Sequence, residues 1–297
     1  MEITVHKKDR SYIYQINLDK RNSNDSRIIA YNYIVPYANV LDVGCACGDF
    51  GVLLSQEKQC TLFGMEYDIK SIEEANKKKV FKELHQIDLN TFKSIDYQEY
   101  QECFDFITLL DVLEHTLYPN ESLLRLKPYL KKNGFFIISL PNISFGDIKL
   151  SLLRDDFTYT DTGILDRTHL KFFTHKTIAI FCAELGLEIV ACQVTVEDIS
   201  MASKDVPYYI KKFIKKNPHS YAYQYIMKLK ISNIDSQILQ TINQNAMRLE
   251  WSSIQQELNR IKKFNWINTL LPVGSKRRTF VKKLYHTYQD YRLRIIP

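Results

Sequence analysis

The hydrophobic pattern in the first part of the chain predicts strands that alternate with helices. Short apolar runs, of the kind that parallel sheets bury on both faces, are separated by helical stretches of about ten residues. The predicted strands are ANVLDV (38–43), CTLFGM (60–65), ELHQID (83–88), FDFITLL (104–110) and FFIISL (135–140). The predicted helices between them are FGVLLSQEK, IKSIEEANKKKV (69–80) and NESLLRLKPYLKKNG, which ends at Gly134. This alternation indicates a doubly wound α/β sheet.

A long segment after Pro141 interrupts the alternation. Residues 142–173 precede a predicted helix at 175–185 and a β-branched stretch, LEIVACQVTVED, at 187–198. Folds of this class build their substrate pockets from excursions at the carboxyl ends of strands. We therefore expect the specificity of the protein to reside in residues 142–173.

The charge of the chain changes sign after residue 203. Residues 204–297 carry 18 Lys and Arg against 5 Asp and Glu, whereas residues 1–203 carry 22 against 29. Only one of the nine glycines, Gly274, lies in the second part. Helices are predicted there over VPYYIKKFIKK, YAYQYIMKLKI and DSQILQTINQNAMRLEWSSIQQELNRIKKF. We therefore predict a catalytic domain at 1–203 and a basic α-helical appendage at 204–297.

Composition excludes several classes of protein. With 45% hydrophobic and 25% charged residues the chain is globular, and its apolar runs fall far short of the roughly 20 residues of a membrane span. Six cysteines without a repeated CxxC frame fit reduced thiols. The first residues mix both charges and show no secretory signal. We expect a cytoplasmic location.

The basic, aromatic second part suits an anionic surface. Lysines and arginines neutralise phosphates, and aromatic rings suit either bases or a lipid interface. The basic residues expected to point outward are Lys215, Lys216, Lys276, Arg277 and Arg278. We favour peripheral contact with the inner face of a membrane over nucleic acid, because no RNA-binding signature is present. The alternative is an ordinary helical cap with solvated lysines.

A glycine-rich turn follows the first predicted strand, in VLDVGCACGDFG. A strand that feeds such a turn into a helix presents backbone N–H groups to a ligand, although a tight turn without a ligand has the same sequence. Glu66 and Asp88 close the next two strands, where Glu66 can accept from ribose hydroxyls and Asp88 from an adenine amino group. Carboxylates at successive strand ends favour a nucleotide-like ligand.

These motifs, together with FDFITLLDVLEH and LKPYLKKNGFFIISLPN, resemble those of the class I S-adenosylmethionine-dependent methyltransferases over residues 38–198. The resemblance implies a seven-stranded Rossmann-like sheet with a reversed last hairpin, in which LEIVACQVTVED is the antiparallel edge. It also implies that S-adenosylmethionine lies across the strand ends. The cofactor-binding residues that it implies are Asp42, Gly44 and Gly48 for the methionine part, Cys45 as a small residue near the cofactor, Glu66 for the ribose, Asp88 and Leu89 beside the adenine, and Leu110 along the cofactor. Ala46 replaces the commoner glycine of the turn.

The segments YTDTGILDRTHLKFFTHKTI and YIYQINLDKRNSNDSRII resemble methyltransferases of bacterial surface-glycan and lipopolysaccharide biosynthesis. This resemblance implies O-methylation of a sugar hydroxyl in a glycan or its precursor. Methyl transfer to a hydroxyl requires a base or a metal to remove its proton. The candidate catalytic residues are His115, His169 and Asp166.

A second interpretation uses some of the same residues. Asp111, Glu114 and His115 form D-x-x-E-H, which with His169 resembles the metal site of ubiquinone-type and small-RNA methyltransferases, except that Asp111 replaces a glutamate. A divalent metal and an RNA 2′-O-methyltransferase activity are therefore the alternative. A non-catalytic scaffold with the same fold is a third interpretation, which the intact glycine turn and Glu66 argue against.

Overall fold

The computed structural model describes residues 3–8, 11–16, 18–20, 22–200 and 206–270, of which 3–16, 95–96 and 263–270 are described by their backbone alone. The chain forms two compact units, Met1–Glu250 and Trp251–Pro297. The second unit contains one described helix, Trp251–Leu270.

Helices and strands alternate through most of the first unit, as the sequence predicts. In chain order they are β1 (Ile3–Lys8), β2 (Ser11–Ile16), α1 (Ser26–Tyr33), β3 (Asn39–Val43), α2 (Asp49–Lys58), β4 (Thr61–Glu66), α3 (Ile69–Lys78), β5 (Phe81–Gln86), β6 (Phe104–Leu110), α4 (Pro119–Leu126), β7 (Leu130–Pro141), α5 (Gly146–Leu152), α6 (His175–Glu184), β8 (Leu187–Val196), α7 (Tyr208–Lys215), β9 (Ala222–Ile231) and α8 (Ser236–Ala246). Strands β1 and β2 form a separate antiparallel hairpin.

The other seven strands form one sheet in the order β5-β4-β3-β6-β7-β9-β8. Neighbouring strands are parallel from β5 to β7, whereas β9 runs antiparallel to both β7 and β8. The predicted doubly wound, seven-stranded sheet with a reversed last hairpin is confirmed. The strand order reverses direction at β3 and β6, so the crevice in which such sheets bind ligands opens between the carboxyl ends of these strands.

Helices cover both faces of the sheet. Apolar residues of α1 and α2 pack in one core cluster with β3 and β6 side chains, and residues of α4 and α6 pack in the other. Both faces of the central strands are therefore buried, which explains their continuous apolar sequences. None of the helices in the described residues is long and apolar enough to span a membrane.

Three predictions from the sequence are corrected. YAYQYIMKLKI forms β9 and not a helix, because a short, nearly continuous apolar run fits either element and its pairing with β7 and β8 decides. The predicted boundary after residue 203 therefore cuts through the sheet, and the first compact unit ends at Glu250. LEIVACQVTVED lies at the edge of the sheet as predicted, in β8, but the strand that runs antiparallel to its neighbours is β9.

A buried asparagine attaches α8 to the edge strand. The Asn243 side chain accepts from the Ile189 N–H at 2.8 Å and donates to the Leu187 carbonyl at 2.9 Å. Both backbone groups belong to β8 and would be unpaired without it. A buried backbone group that loses its partner costs about 1–3 kcal/mol.

We predict that Asn243→Ala lowers the free energy of unfolding by about 2 kcal/mol, because it leaves two backbone groups of β8 unpaired. Urea denaturation followed by circular dichroism measures the change. Asn245→Ala, at an exposed position of the same helix, is the matched control and should stay within about 0.5 kcal/mol of the parent. Equal losses in the two variants would contradict a specific role for Asn243.

Candidate active site

The turn between β3 and α2 depends on unusual backbone torsions. Gly44, Ala46 and Gly48 have φ values of 71°, 46° and 78°. A Cβ on Gly44 would lie 2.4 Å from Cγ2 of Val112, and one on Gly48 would lie 2.8 Å from Cε2 of Phe81. Glycine is required at both positions, since the left-handed region and the close neighbours both oppose a side chain. Ala46 takes the same region at a small steric cost.

Glu66 connects the end of β4 to this turn. Its Oε2 accepts from the Ala46 N–H at 2.8 Å, and its Oε1 accepts from the N–H groups of Tyr67 and Asp68 at 2.7 and 2.9 Å. A carboxylate can accept about four hydrogen bonds. Acceptor capacity therefore remains on Oε2 for one hydroxyl of a ligand.

Asp42 is a buried acid at the end of β3, with 3% of its surface exposed. The Thr108 hydroxyl donates to its Oδ1 at 2.6 Å. Burial raises the pKa of Asp42 to about 7, although the Thr108 hydrogen bond and the charge of Arg27 act in the opposite direction. The group therefore changes its charge close to neutral pH.

The remaining predicted cofactor residues lie at the same edge of the sheet. Asp88 follows β5, and its Oδ1 accepts from the backbone and side-chain nitrogens of Asn90 at 2.9 and 3.0 Å. Leu89 packs against the core, and Leu110 is buried at the end of β6. Cys45 is a buried free cysteine, and burial raises the pKa of its thiol, so that it is a small neutral packing group.

Asp111 fixes the path of the chain beyond β6. It has a φ of 59°, and its N–H donates to Oγ of Ser139 at 2.8 Å, while the Ser139 hydroxyl donates back to its Oδ1 at 2.6 Å. Gln224 of β9 donates to the same oxygen at 2.8 Å, and Nη2 of Arg27 lies 3.8 Å from Oδ2. This carboxylate is occupied by protein groups.

His115 and His169 form a pair of rings, with centroids 4.7 Å apart and planes at 73°. Nδ1 of His169 lies 2.9 Å from the Ile164 carbonyl, and Nδ1 of His115 lies 3.2 Å from the Thr168 carbonyl and 3.0 Å from its hydroxyl oxygen. Because that hydroxyl donates its hydrogen to Asp166 at 2.7 Å, both Thr168 oxygens accept from His115. Each Nδ1 therefore carries a proton, and each Nε2 is left as the basic nitrogen.

Glu114 lies beside the two rings. It is 1% exposed, and its Oε2 has no hydrogen-bond partner among the described residues. Burial, together with the charges of Asp111 and Asp166, raises the pKa of Glu114 well above its usual value. One potential ligand atom from each of Glu114, His115 and His169 lies within 4.8 Å of the others. Asp111, the first residue of the D-x-x-E-H motif, is not in this group.

The third candidate catalytic residue, Asp166, supports the loop that carries His169. It is buried, its Oδ1 accepts from the N–H and hydroxyl of Thr168, and its carbonyl accepts from the His169 N–H at 2.9 Å. The carbonyl of Glu114 accepts from the N–H groups of Leu170 and Lys171 at 2.7 and 3.0 Å. The excursion is thereby held against the segment that contains His115, with Asp166 in a positioning role.

Several polar residues of the site escaped the sequence analysis. Thr108 and Ser139 are polar residues within the apolar runs ITLL and FFIISL, a signal that could have drawn attention to them. Arg27 and Gln224 carry no such signal, because only the pairing of β9 in the sheet and the packing of α1 bring them to Asp111.

We predict that Asp42→Asn stabilises the protein at pH 8. The pKa of Asp42 is about 7 in the folded chain and about 3.9 in the unfolded chain, so the folded state binds more protons between these values and loses stability as the pH rises through them. Asparagine cannot ionise and keeps an acceptor for Thr108. The gain in unfolding temperature should shrink as the pH approaches 4.

Thermal unfolding at several pH values tests this expectation. Asp155→Asn is the control, since Asp155 is exposed and its left-handed backbone tolerates asparagine. A variant at Asp42 that is less stable than the parent at pH 8 would show that the ionised carboxylate is stabilised in the fold.

Comparison with known proteins agrees with this geometry. Residues 14–192 match the family model of the methyltransferase domain. A SAM-dependent methyltransferase from Archaeoglobus fulgidus is 20% identical with a TM-score of 0.48, covering 71% of this chain and 94% of its own. A possible histamine N-methyltransferase from Thermotoga maritima is 16% identical with a TM-score of 0.48, covering 71% and 90%.

No curated protein sequence gives a significant match. The assignment rests on the family match, since the structural matches have TM-scores below 0.5. That match spans more than half of the chain, and it includes the glycine turn, Glu66 and the strands that carry them. The chain therefore belongs to the methyltransferase-domain family and is a class I S-adenosylmethionine-dependent methyltransferase.

Proposed function

We propose that this methyltransferase methylates a hydroxyl oxygen, on a sugar of a surface glycan or of its precursor. One observation carries the proposal: two adjacent imidazoles, His115 and His169, are both held by Nδ1 and keep Nε2 as a base. Such a pair suits an acceptor that must lose a proton, as a hydroxyl does.

The turn after β3 and the carboxylates at the strand ends are proposed to hold S-adenosylmethionine. Glu66 retains acceptor capacity for a ribose hydroxyl, and the torsions of Gly44 and Gly48 keep side chains out of the turn. The proposed contacts are Asp42, Gly44, Cys45 and Gly48 with the methionine part, Glu66 with the ribose, and Asp88, Leu89 and Leu110 with the rest of the cofactor. When bound, the cofactor would supply an electrophilic methyl group, and its sulfur would be the leaving group that keeps the electron pair.

His115 is proposed as the base, because it is half-buried whereas His169 is 9% exposed. Burial and the neighbouring His169 lower the pKa of His115, so its ring is neutral at physiological pH. Its Nε2 takes the proton of the acceptor hydroxyl. His169 is proposed to orient the acceptor or the imidazole ring of His115.

Aromatic side chains of the excursion support a sugar acceptor. Phe157 lies 5.5 Å from Tyr159 and 5.8 Å from Phe172, between ring centroids, and Phe172 lies 6.4 Å from His169. Apolar faces with a few polar groups are typical of small-molecule sites. Residues 142–173 contain five aspartates against four lysines and arginines, so the excursion lacks the excess of positive charge that binds the phosphates of RNA.

We predict that His115→Ala lowers kcat/KM by a factor of about 100 to 10,000, the usual contribution of a general base. In the parent, kcat/KM should fall as the pH drops through the His115 pKa, which burial places below the usual 6.5. This acidic limb should disappear in the variant. Methyl-labelled S-adenosylmethionine and a glycan fraction from the source cell provide the assay.

The chemical position of the label tests the acceptor. Acid hydrolysis of the labelled product should release an O-methyl monosaccharide, and calorimetry should give equal affinities of parent and His115→Ala for S-adenosylhomocysteine. Label released by mild alkali would indicate a methyl ester and contradict the proposal. Label in nucleic acid would do the same.

A metal-dependent methyltransferase is the second candidate, which is favoured by Oε2 of Glu114, an atom without a hydrogen-bond partner in the described part of the chain. The residues fit an ion, since two imidazoles and a carboxylate lie within reach of one another. That donor set suits a first-row transition ion such as Zn²⁺ or Fe²⁺ better than Mg²⁺. A bound ion would lower the pKa of the acceptor hydroxyl.

For this candidate we predict about one transition-metal ion per chain by elemental analysis, and almost none in Glu114→Gln. Asp156→Asn, at an exposed position of the excursion, is the control and should retain the ion. A metal-free parent whose turnover survives chelation, together with an active Glu114→Gln variant, would leave the histidine base as the mechanism.

A further inference from the structure

One exposed face of α7 has a composition unlike the rest of the described surface. Tyr208, Tyr209 and Phe213 are 72%, 71% and 77% exposed, and Phe213 is the most exposed large apolar side chain in the described residues. Lys212 and Lys216 are exposed between them. At 100° per residue these five side chains fall within one arc of the helix, opposite the buried Ile214. We call this set the α7 face.

The chain segment that contains α7 carries charge of a single sign. Residues 206–220 contain four lysines and no aspartate or glutamate. Lys215 lies near Asp147, and Lys212 and Lys216 of the α7 face are exposed. The face therefore attracts a negatively charged surface.

Apolar surface continues from α7 onto the neighbouring helix. Helix α5 packs against α7, and its C-terminal leucines, Leu152 and Leu153, are 49% and 56% exposed. Leucines offer no platform for stacking bases, so this continuation of the surface favours lipid over a nucleic-acid strand. Lysine is depleted at protein–protein interfaces. Tyrosine rings, which have an apolar body and a polar tip, are instead enriched at the membrane interface, and lysines beside them are attracted to anionic lipids.

We propose that the α7 face docks this methyltransferase onto a bilayer surface that contains anionic lipids. Tyr208, Tyr209 and Phe213 enter the headgroup region, and Lys212 and Lys216 contact the lipid phosphates. The helix stays attached to the sheet through Ile214, and Lys149 of α5 donates to Ser220 at 2.9 Å, between α7 and β9. Because α5 follows the carboxyl end of β7, docking would bring that edge of the sheet towards the lipid. The inference is independent of the acceptor chemistry.

Vesicle flotation of the full chain tests the proposal. The parent should float with phosphatidylcholine vesicles that contain 30% phosphatidylglycerol and remain unbound with phosphatidylcholine alone. Lys212→Gln combined with Lys216→Gln should weaken partition about 30-fold. Tyr209→Asn combined with Phe213→Asn should weaken it by a factor on the order of 10.

Tyr37→Asn is the matched control, because Tyr37 is 72% exposed outside the α7 face and its left-handed backbone tolerates asparagine. It should bind like the parent. Parent protein that stays unbound, or α7 variants that float as well as the parent, would overturn the proposal. If the parent binds a single-stranded oligonucleotide but no vesicles, and the α7 variants lose that oligonucleotide binding, the face is assigned to nucleic acid. Circular dichroism and S-adenosylhomocysteine binding confirm that each variant is folded.

Discussion

The reciprocal hydrogen bonds between Asp111 and Ser139 determine where the chain leaves the sheet. They hold Asp111 at a positive φ, and this turn sends the following residues back across the strand ends. Glu114 and His115 follow within four residues, and the Glu114 carbonyl then anchors the excursion that delivers His169. The distance between the two histidines thus depends on a single turn after β6. A change in the conformation of this turn would separate His115, the proposed base, from His169 without disturbing the sheet.

The site contains buried carboxyl groups that neighbouring side chains stabilise only in part. Asp42 and Glu114 are both almost inaccessible, and burial raises the pKa of each. Their hydrogen-bond partners among the described residues are few: one Thr108 hydroxyl for Asp42, and none on Oε2 of Glu114. Such groups destabilise a folded chain, and they persist where a ligand or a reaction uses them. The neighbouring Asp111 shows the contrast, since Arg27, Ser139 and Gln224 surround its carboxylate.

Sequence patterns predicted the parallel half of the sheet because each of those strands is a short apolar run bounded by turn residues. The glycine turn and Glu66 were predictable for a similar reason: their chemistry is local. The antiparallel strand β9 was not, since YAYQYIMKLKI fits a helix or a strand until it pairs with β7 and β8. The environment of Asp111 was equally hidden, because Arg27 and Gln224 lie 84 and 113 positions away in the chain. The D-x-x-E-H motif suggested Asp111 as a metal ligand, whereas in the folded chain its carboxylate contacts Ser139, Gln224 and Arg27.

The place of β9 also changes the meaning of the positive charge in the second part of the chain. Lys228 of β9 lies 4.0 Å from the ring centroid of Phe135, and Lys230 pairs with Glu188 at 3.1 Å. These lysines contact side chains of the sheet. The segment between β8 and β9 includes α7, whose lysines alternate with exposed aromatic rings. Since both ends of this connection are strands of the same sheet, the α7 face is bound to the catalytic unit and is not carried on a separate appendage. A surface held in that way can orient the enzyme as well as attach it.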